Sequence, residues 1–308
     1  MFTFIDLFAG IGGIRQGFEA NGGQCVFSSE WDKYAQQSYE ANYGEVPHGD
    51  ITQISVADIP SHDVLAAGFP CQPFSNAGLR KGFEDTRGTL FFDIARIIEA
   101  HKPALVLLEN VKGLKTHDKG NTFKVIAQTL EGLGYEVHAK VLSSNDFGVP
   151  QNRERIYIVA VNREKTNANA FNYPEATGIV TRLGNILEPT VDSKYTMSDR
   201  LWGSLQAHAE RHKANGNGFS YNLFTEATEY TTAIVARYYK DGSNILIKQD
   251  GSPRRLTPRE AARLQGFPES YKIVVSDTQA YKQFGNSVAV PVITAIANNM
   301  VSLLKENL

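Results

Sequence analysis

Apolar and polar positions follow a recurring order through the first half of the chain. Short apolar runs of strand length are each followed by a longer segment whose apolar residues recur every three or four positions. Residues 2–8 read as strand and 14–20 as helix, then 24–29 as strand and 33–43 as helix. Residues 64–67 are strand, 90–100 helix, 104–108 strand and 122–133 helix, and 137–142 and 155–161 complete the series as two further strands. Repeated strand–helix units predict an α/β fold with a doubly wound, mostly parallel sheet and helices on both faces. Ligands of such sheets bind at the carboxyl ends of the strands.

The pattern weakens near Thr177. From there to about Ser252 the chain is rich in Asn, Gly, Thr and Tyr, with strand candidates only at 231–239 and 244–248. A smaller, irregular or β region is expected. Thr257-Pro258-Arg259-Glu260 is a capping box with proline at the first helical position, so a helix starts there and stops at Gly266-Phe267-Pro268. Residues 290–304 read as an amphipathic helix returning to the first part. The expected division is 1–176 with 280–308 as one domain and 177–279, with a hinge, as the other. There are no internal repeats.

With 308 residues, 42% hydrophobic and 21% charged, the composition suits a soluble globular protein with a full-sized core. No apolar run approaches the length of a membrane span. The apolar N-terminus runs into Asp6 and a glycine cluster, as a first strand does and a signal peptide does not. Two cysteines, Cys25 and Cys71, point to a reducing cytosol. A net charge of -2 gives no overall attraction to nucleic acid. Arg254, Arg255, Arg259, Arg263 and Lys272 outnumber Glu260 and Glu269 locally, which suits phosphate contacts or an ordinary solvated helix face. His208 and His212 stand four apart with no third ligand nearby, so no metal site is expected.

Candidate chemistry gathers where the predicted strands end. Gly68-Phe69-Pro70-Cys71-Gln72-Pro73 follows the third strand, and its prolines forbid helix and stiffen the turn. A free cysteine is more often a small buried hydrophobe, but one at a strand exit is placed to present its sulfur. Asp6-Leu7-Phe8-Ala9-Gly10-Ile11-Gly12-Gly13 follows the first strand, and its glycines permit a tight turn and close approach of a ligand. It lacks the G-x-G-x-x-G spacing of dinucleotide sites. Glu30 ends the second strand, where an acid binds ribose hydroxyls, and Trp31 offers a stacking face. Asp50-Ile51, read as a third strand's end, is a candidate for the adenine edge. A nucleoside without a pyrophosphate fits these parts better than NAD. Glu109 closes the strand at 104–108, where in a parallel sheet it emerges from the same edge as Cys71. Arg153 and Arg155 alternate to one side of an extended segment, where a guanidinium meets a base carbonyl, a phosphate or Glu154.

Six blocks together resemble the cytosine-5 DNA methyltransferases. They are the Asp6–Gly13 block, Gly68-Phe-Pro-Cys-Gln, Glu109-Asn-Val, Gln151-Asn-Arg-Glu-Arg, Arg255-Leu-Thr-Pro-Arg-Glu-Ala-Ala and Gln283-Phe-Gly-Asn-Ser-Val. They occur in the family's order over nearly the whole chain, and the likeness is strongest to compact bacterial enzymes of restriction–modification systems. The resemblance implies that Cys71 adds to C6 of cytosine, making C5 nucleophilic. It implies that Glu109 donates toward N3 and that Arg155, with Arg153, binds O2. S-adenosylmethionine, leaving as S-adenosylhomocysteine, would lie among Phe8, Ala9, Gly10, Gly12, Glu30, Trp31, Asp50, Ile51, Pro70, Leu90, Asn286 and Val288. No metal is implied.

The target base must leave the stack, and residues 75–87, with Arg80 and Arg87, are expected to close over it. Ser75, Arg80, Arg87, Thr232, Arg237 and Tyr239 are the expected DNA contacts, and 177–252 the target-recognition part. Ala77 replaces a serine of the best-known small members. The resemblance further implies double-stranded DNA as partner, a separately acting cognate endonuclease, a monomer, and a cytoplasmic place near the nucleoid. An RNA (tRNA) cytosine methyltransferase of the same family is the rival enzyme. A silent DNA-binding relative predicts a damaged Cys or Glu block, and a Rossmann oxidoreductase predicts the missing glycine spacing.

Overall fold

The computed structural model describes residues 1–70, 90–167, 171–216, 218 and 221–306. The chain begins β1 (Phe2–Leu7), α1 (Gly13–Glu19), β2 (Gly23–Ser29), α2 (Lys33–Tyr43), β3 (Val64–Gly68), α3 (Leu90–His101), β4 (Leu105–Val111), α4 (Asn121–Gly132) and β5 (Tyr135–Ser143). It crosses the two-residue β6 (Gln151–Asn152) to β7 (Glu154–Asn162), and then α5 (Asp199–Ala214). There follow β8 (Leu223–Phe224), β9 (Thr231–Thr232), α6 (Tyr238–Asp241), β10 (Leu246–Ile247), α7 (Pro258–Leu264), α8 (Asp277–Asn286) and α9 (Val290–Glu306).

Two compact units result. The first comprises Met1–Ser143, Glu154–Ala176 and Val290–Leu308, and the second Ser144–Arg153 and Thr177–Ala289. Residues 144–153 and 280–289, grouped with the sheet by sequence, pack with the second unit.

The first unit is a six-stranded sheet in the order β2-β1-β3-β4-β7-β5. β2, β1, β3 and β4 are mutually parallel, and β7 is antiparallel to both of its neighbours, so it alone runs against the rest. Residues 64–67 and 105–108 have no exposed surface, as expected of strands covered on both faces. On one face Ile5, Leu7, Leu65 and Val106 meet Ile94, Ile97 and Ile98 of α3 and Ile126 and Leu130 of α4. Each such side chain contributes roughly 1.5–3 kcal/mol. Elsewhere in this unit α1 lies against α9, where a Cβ on Gly17 would stand 2.5 Å from Ile293. The stretch 277–305 passes by length and composition for a membrane span, but 61% of its apolar window is buried in the protein.

At the amino end of β3 lies His62, 5% exposed, with Nδ1 at 2.8 Å from the Pro60 carbonyl and Nε2 unpartnered among the described residues. Its ring is 5.1 Å from that of His101. Burial pushes its pKa down to about 4. The native state therefore takes up its proton later than the unfolded chain, whose histidine titrates near ~6.5. Stability from this group is complete above about pH 6.5 and is lost as pH falls toward 4, by roughly 3 kcal/mol in all. The difference in urea midpoint between wild type and His62→Gln should be constant above about pH 6.5 and should shift against wild type as pH falls from there toward 4. A constant difference across that range would remove His62 as the cause.

The second unit holds more helix than its sequence suggests. α5 spans 16 residues, capped by the Ser198 hydroxyl on Leu201 N, yet only Leu205 of its side chains is buried. Leu205 packs with Met197 and Leu246, flanked by Trp202 and Tyr221. A helix that buries so narrow a stripe carries little 3.6-residue periodicity. The strand expected at 231–239 is only β9, because Tyr238 turns into α6. Its buried hydroxyl donates to the Ile245 carbonyl (2.7 Å) and accepts from Leu256 N (2.8 Å). The capping box of α7 forms as expected, with Glu260 also gripping the Arg254 guanidinium at 2.8 and 2.9 Å. Arg263 pairs with Glu269, and Arg259 donates to the Tyr271 carbonyl, so much of the basic stretch is spent internally. His208 and His212 on α5 approach each other at 3.2 Å, and no group of three metal-ligating side chains occurs among the described residues.

Candidate active site

The turn after β1 needs left-handed backbone. Phe8 has φ 56°, Gly10 φ 55° and Gly12 φ 80°, and such angles suit glycine and strain most other residues. The turn is tied to β2: Ala9 N donates to the Ser29 carbonyl (2.9 Å) and Gly10 N to Glu30 Oε2 (2.8 Å). Gly12 has no room for a side chain, since a Cβ would meet the Tyr43 ring at 2.3 Å. The Tyr43 hydroxyl donates to the Gly12 carbonyl at 2.9 Å. Under the turn, Asp6 is wholly buried, and burial pushes its pKa up to about 8, against the pull of Arg15.

Glu30 is fixed by a second donor, Asp32 N on Oε1 at 2.8 Å. Burial raises its pKa above the usual carboxylate range, opposed by the N–H groups of Asp32 and Gly10. Trp31 beside it is 80% exposed. Asp50-Ile51 does not end the third strand. The preceding His48 runs beside the end of β2, donating to the Ser28 carbonyl and accepting from Glu30 N, and Asp50 caps a short turn at Ile51–Gln53. Asp50 is exposed and Ile51 is 2% exposed. The structure thus brings Phe8, Ala9, Gly10, Gly12, Glu30 and Trp31 to one corner of the sheet, with the Asp50 segment beside β2.

At the next two strand ends, Gly68 of β3 pairs with Glu109 of β4. A Cβ on Gly68 would lie 3.7 Å from Glu109 Oε2, at ordinary contact distance, so the carboxyl stands directly beside the end of β3. Arg155 on antiparallel β7 reaches the same carboxyl, Nε to Oε1 at 3.3 Å. Glu154 pairs with Lys112 at 2.9 Å, and Arg155 donates to the Glu154 backbone carbonyl at 2.8 Å. Asn110, 3% exposed, donates Nδ2 to the Phe69 carbonyl at 2.8 Å and accepts Val111 N. It therefore pins the chain two residues before Cys71. In the sequence the only signal of this role is the place of Asn110 beside Glu109. Pro70 is exposed and Leu90, the first residue of α3, is half-buried. Cys71, Ser75, Ala77, Arg80 and Arg87 lie outside the described residues.

Arg153 and Arg155 separate. Arg153 belongs to the second unit and is 4% exposed, its guanidinium donating to the carbonyls of Ile234 (3.1 Å), Gly285 (3.2 Å) and Ser287 (2.7 Å). In that unit Thr232 is exposed, with its hydroxyl on the Asn244 carbonyl at 2.8 Å; Arg237 is exposed and Tyr239 half-buried. Asn286 is exposed and Val288 buried.

A family profile described as C-5 cytosine-specific DNA methylase matches residues 2–302. Type II methyltransferase M.SsoII of Shigella sonnei is 61% identical over 306 residues, covering 98% of this chain and 81% of that protein. Type II methyltransferase M.NlaX of Neisseria lactamica is 60% identical over 308 residues, covering 99% and 97%. The crystal structure of S. pombe Dnmt2 methyltransferase superposes with a TM-score of 0.78 at 22% identity, covering 99% of this chain and 98% of that one, a likeness of fold.

Proposed function

Because this chain belongs to the C-5 cytosine-specific DNA methylase family, we propose that it transfers a methyl group from S-adenosylmethionine to C5 of a cytosine in a short duplex DNA sequence. The observation that carries the reading is the pairing of Gly68 with Glu109, with Arg155 on the same carboxyl. An acid and an arginine thus stand beside the strand that leads, three residues on, to Cys71.

The methyl donor fits the corner at the ends of β1 and β2. Two backbone N–H groups orient Glu30, and its remaining lone pairs suit vicinal ribose hydroxyls. The exposed Trp31 face suits an adenine. When bound, S-adenosylmethionine supplies an electrophilic methyl group on a sulfonium. The chain's own residues prepare the base. Cys71, as thiolate, forms a bond to C6, and the ring electrons move toward N3, where Glu109 donates a proton. Arg155 binds O2 and fixes the carboxyl by its own contact. After C5 is methylated, a base removes the C5 proton, the C5–C6 bond reforms as double, Cys71 leaves as thiolate and N3 returns its proton to Glu109. The cytosine must stand outside the stack, at about a few kcal/mol. The second unit, with Thr232, Arg237 and Tyr239, takes the recognition role. The type II names of the relatives favour a restriction–modification setting with a separate endonuclease. Action on DNA in the cytoplasm goes with that setting, and one transfer per binding event needs no second copy, so a monomer is expected.

Bisulfite sequencing of plasmid from cells that express this chain and have no other cytosine methylation tests the reading. Protected cytosines in one short recurring sequence are expected. Unprotected plasmid would overturn it, and transfer to tRNA alone would move the enzyme to the RNA branch.

A further inference from the structure

The segment that carries Thr232 and the segment that carries Asn286 and Val288 are fastened together inside the second unit. Beyond the three carbonyls held by Arg153, the wholly buried Gln151 accepts Ile234 N on Oε1 at 2.8 Å. Its amide donates to the Leu264 carbonyl and to Gln265 Oε1, each at 3.0 Å. Gln265, equally buried, donates to the carbonyls of Phe284 (2.6 Å) and Ser287 (3.3 Å). An independent contact says the same: a Cβ on Gly285 would stand 2.4 Å from Ala236 N and from the Val235 carbonyl carbon. Two backbones touch there with no side chain between them. Sliding one past the other would strip buried carbonyls of charge-assisted donors, so the segments move as one piece.

We propose that Arg153, Gln151 and Gln265 are positioning residues that couple DNA engagement at 232–237 to methyl-donor engagement at 286–288. The proposal rests on the reading above, which assigns DNA to the first segment, and on the family resemblance, which implies Asn286 and Val288 of the second as donor contacts. A ligand that orders one segment has then already ordered the other, and the gain in affinity must be equal in both directions.

The test titrates S-adenosylhomocysteine with and without a duplex carrying the site found by bisulfite sequencing, and the duplex with and without S-adenosylhomocysteine. In wild type each should tighten the other by the same factor, at least about tenfold. In Arg153→Lys and Gly285→Ala that factor should fall below about threefold, while each ligand alone binds within about threefold of wild type. Circular dichroism melting identifies folded variants, and Arg153→Lys decides alone if Gly285→Ala does not fold. A merely structural role would weaken each ligand separately and leave the factor unchanged. An unchanged factor in the folded variants overturns the proposal, as does a wild type without coupling. Wild-type protein that methylates no DNA fails the earlier reading instead, a separate result.

Discussion

Cys71→Ser is expected to abolish methyl transfer, by at least about 10⁴-fold, while duplex binding stays within about threefold. A thiol with an ordinary pKa near ~8.5 yields some thiolate at neutral pH, whereas a serine hydroxyl yields almost none without a dedicated base. In the proposed mechanism loss of the sulfur removes the bond to C6, and without that bond C5 is too weak a nucleophile to attack a methyl group. In the proposed reading the contacts that hold the duplex come from other residues, so affinity should survive. Radiolabelled methyl transfer under single-turnover conditions gives the rate, and gel shift gives the affinity. A duplex with 5-fluorocytosine at the target should also form a denaturant-stable adduct with wild type and none with Cys71→Ser, because fluorine cannot leave as the C5 proton does. Transfer by Cys71→Ser within tenfold of wild type would remove the covalent mechanism.

Glu109→Gln should lower the single-turnover rate by about 10²–10⁴-fold, the usual worth of a positioned acid, with duplex affinity little changed. The amide keeps the shape and still touches Arg155, but it cannot hand a proton to N3. The substitution also leaves Arg155, 18% exposed at its side chain, without its charge partner. A stability loss of about 1–3 kcal/mol should accompany it, read from urea midpoints. If Glu109→Gln lost stability yet kept its rate, the carboxyl would be a structural partner of Arg155 and no acid.

Much of this arrangement is legible in the sequence because parallel strands covered on both faces must be continuous apolar runs. Residues 64–67 and 105–108 announce themselves in that way, and the residues just beyond them, Gly68 and Glu109, come out as neighbours. Strand direction is not written in such a run, so the reversal of β7 became visible only from its pairing. Asp50 was misplaced for a related reason: the apolar residues around it pack as a short turn beside β2, with no run long enough to show its true neighbour. α5 was missed because its surface is polar almost all round. Arg153 and Arg155 share a face by strand periodicity, yet the chain passes from one compact unit to the other between them. A period of two cannot report that crossing.

Under the recognition role proposed for the second unit, the crossing at 153–154 bears on how target preference could be moved between relatives. The body that holds Thr232 and Arg237 is discontinuous in sequence, because residues 144–153 belong to it together with 177–289. A chimaera that grafts only the longer piece would set a foreign backbone against the host's Gln151 and Arg153. The transplantable cassette therefore has two parts, and the ten-residue one is easily overlooked in an alignment.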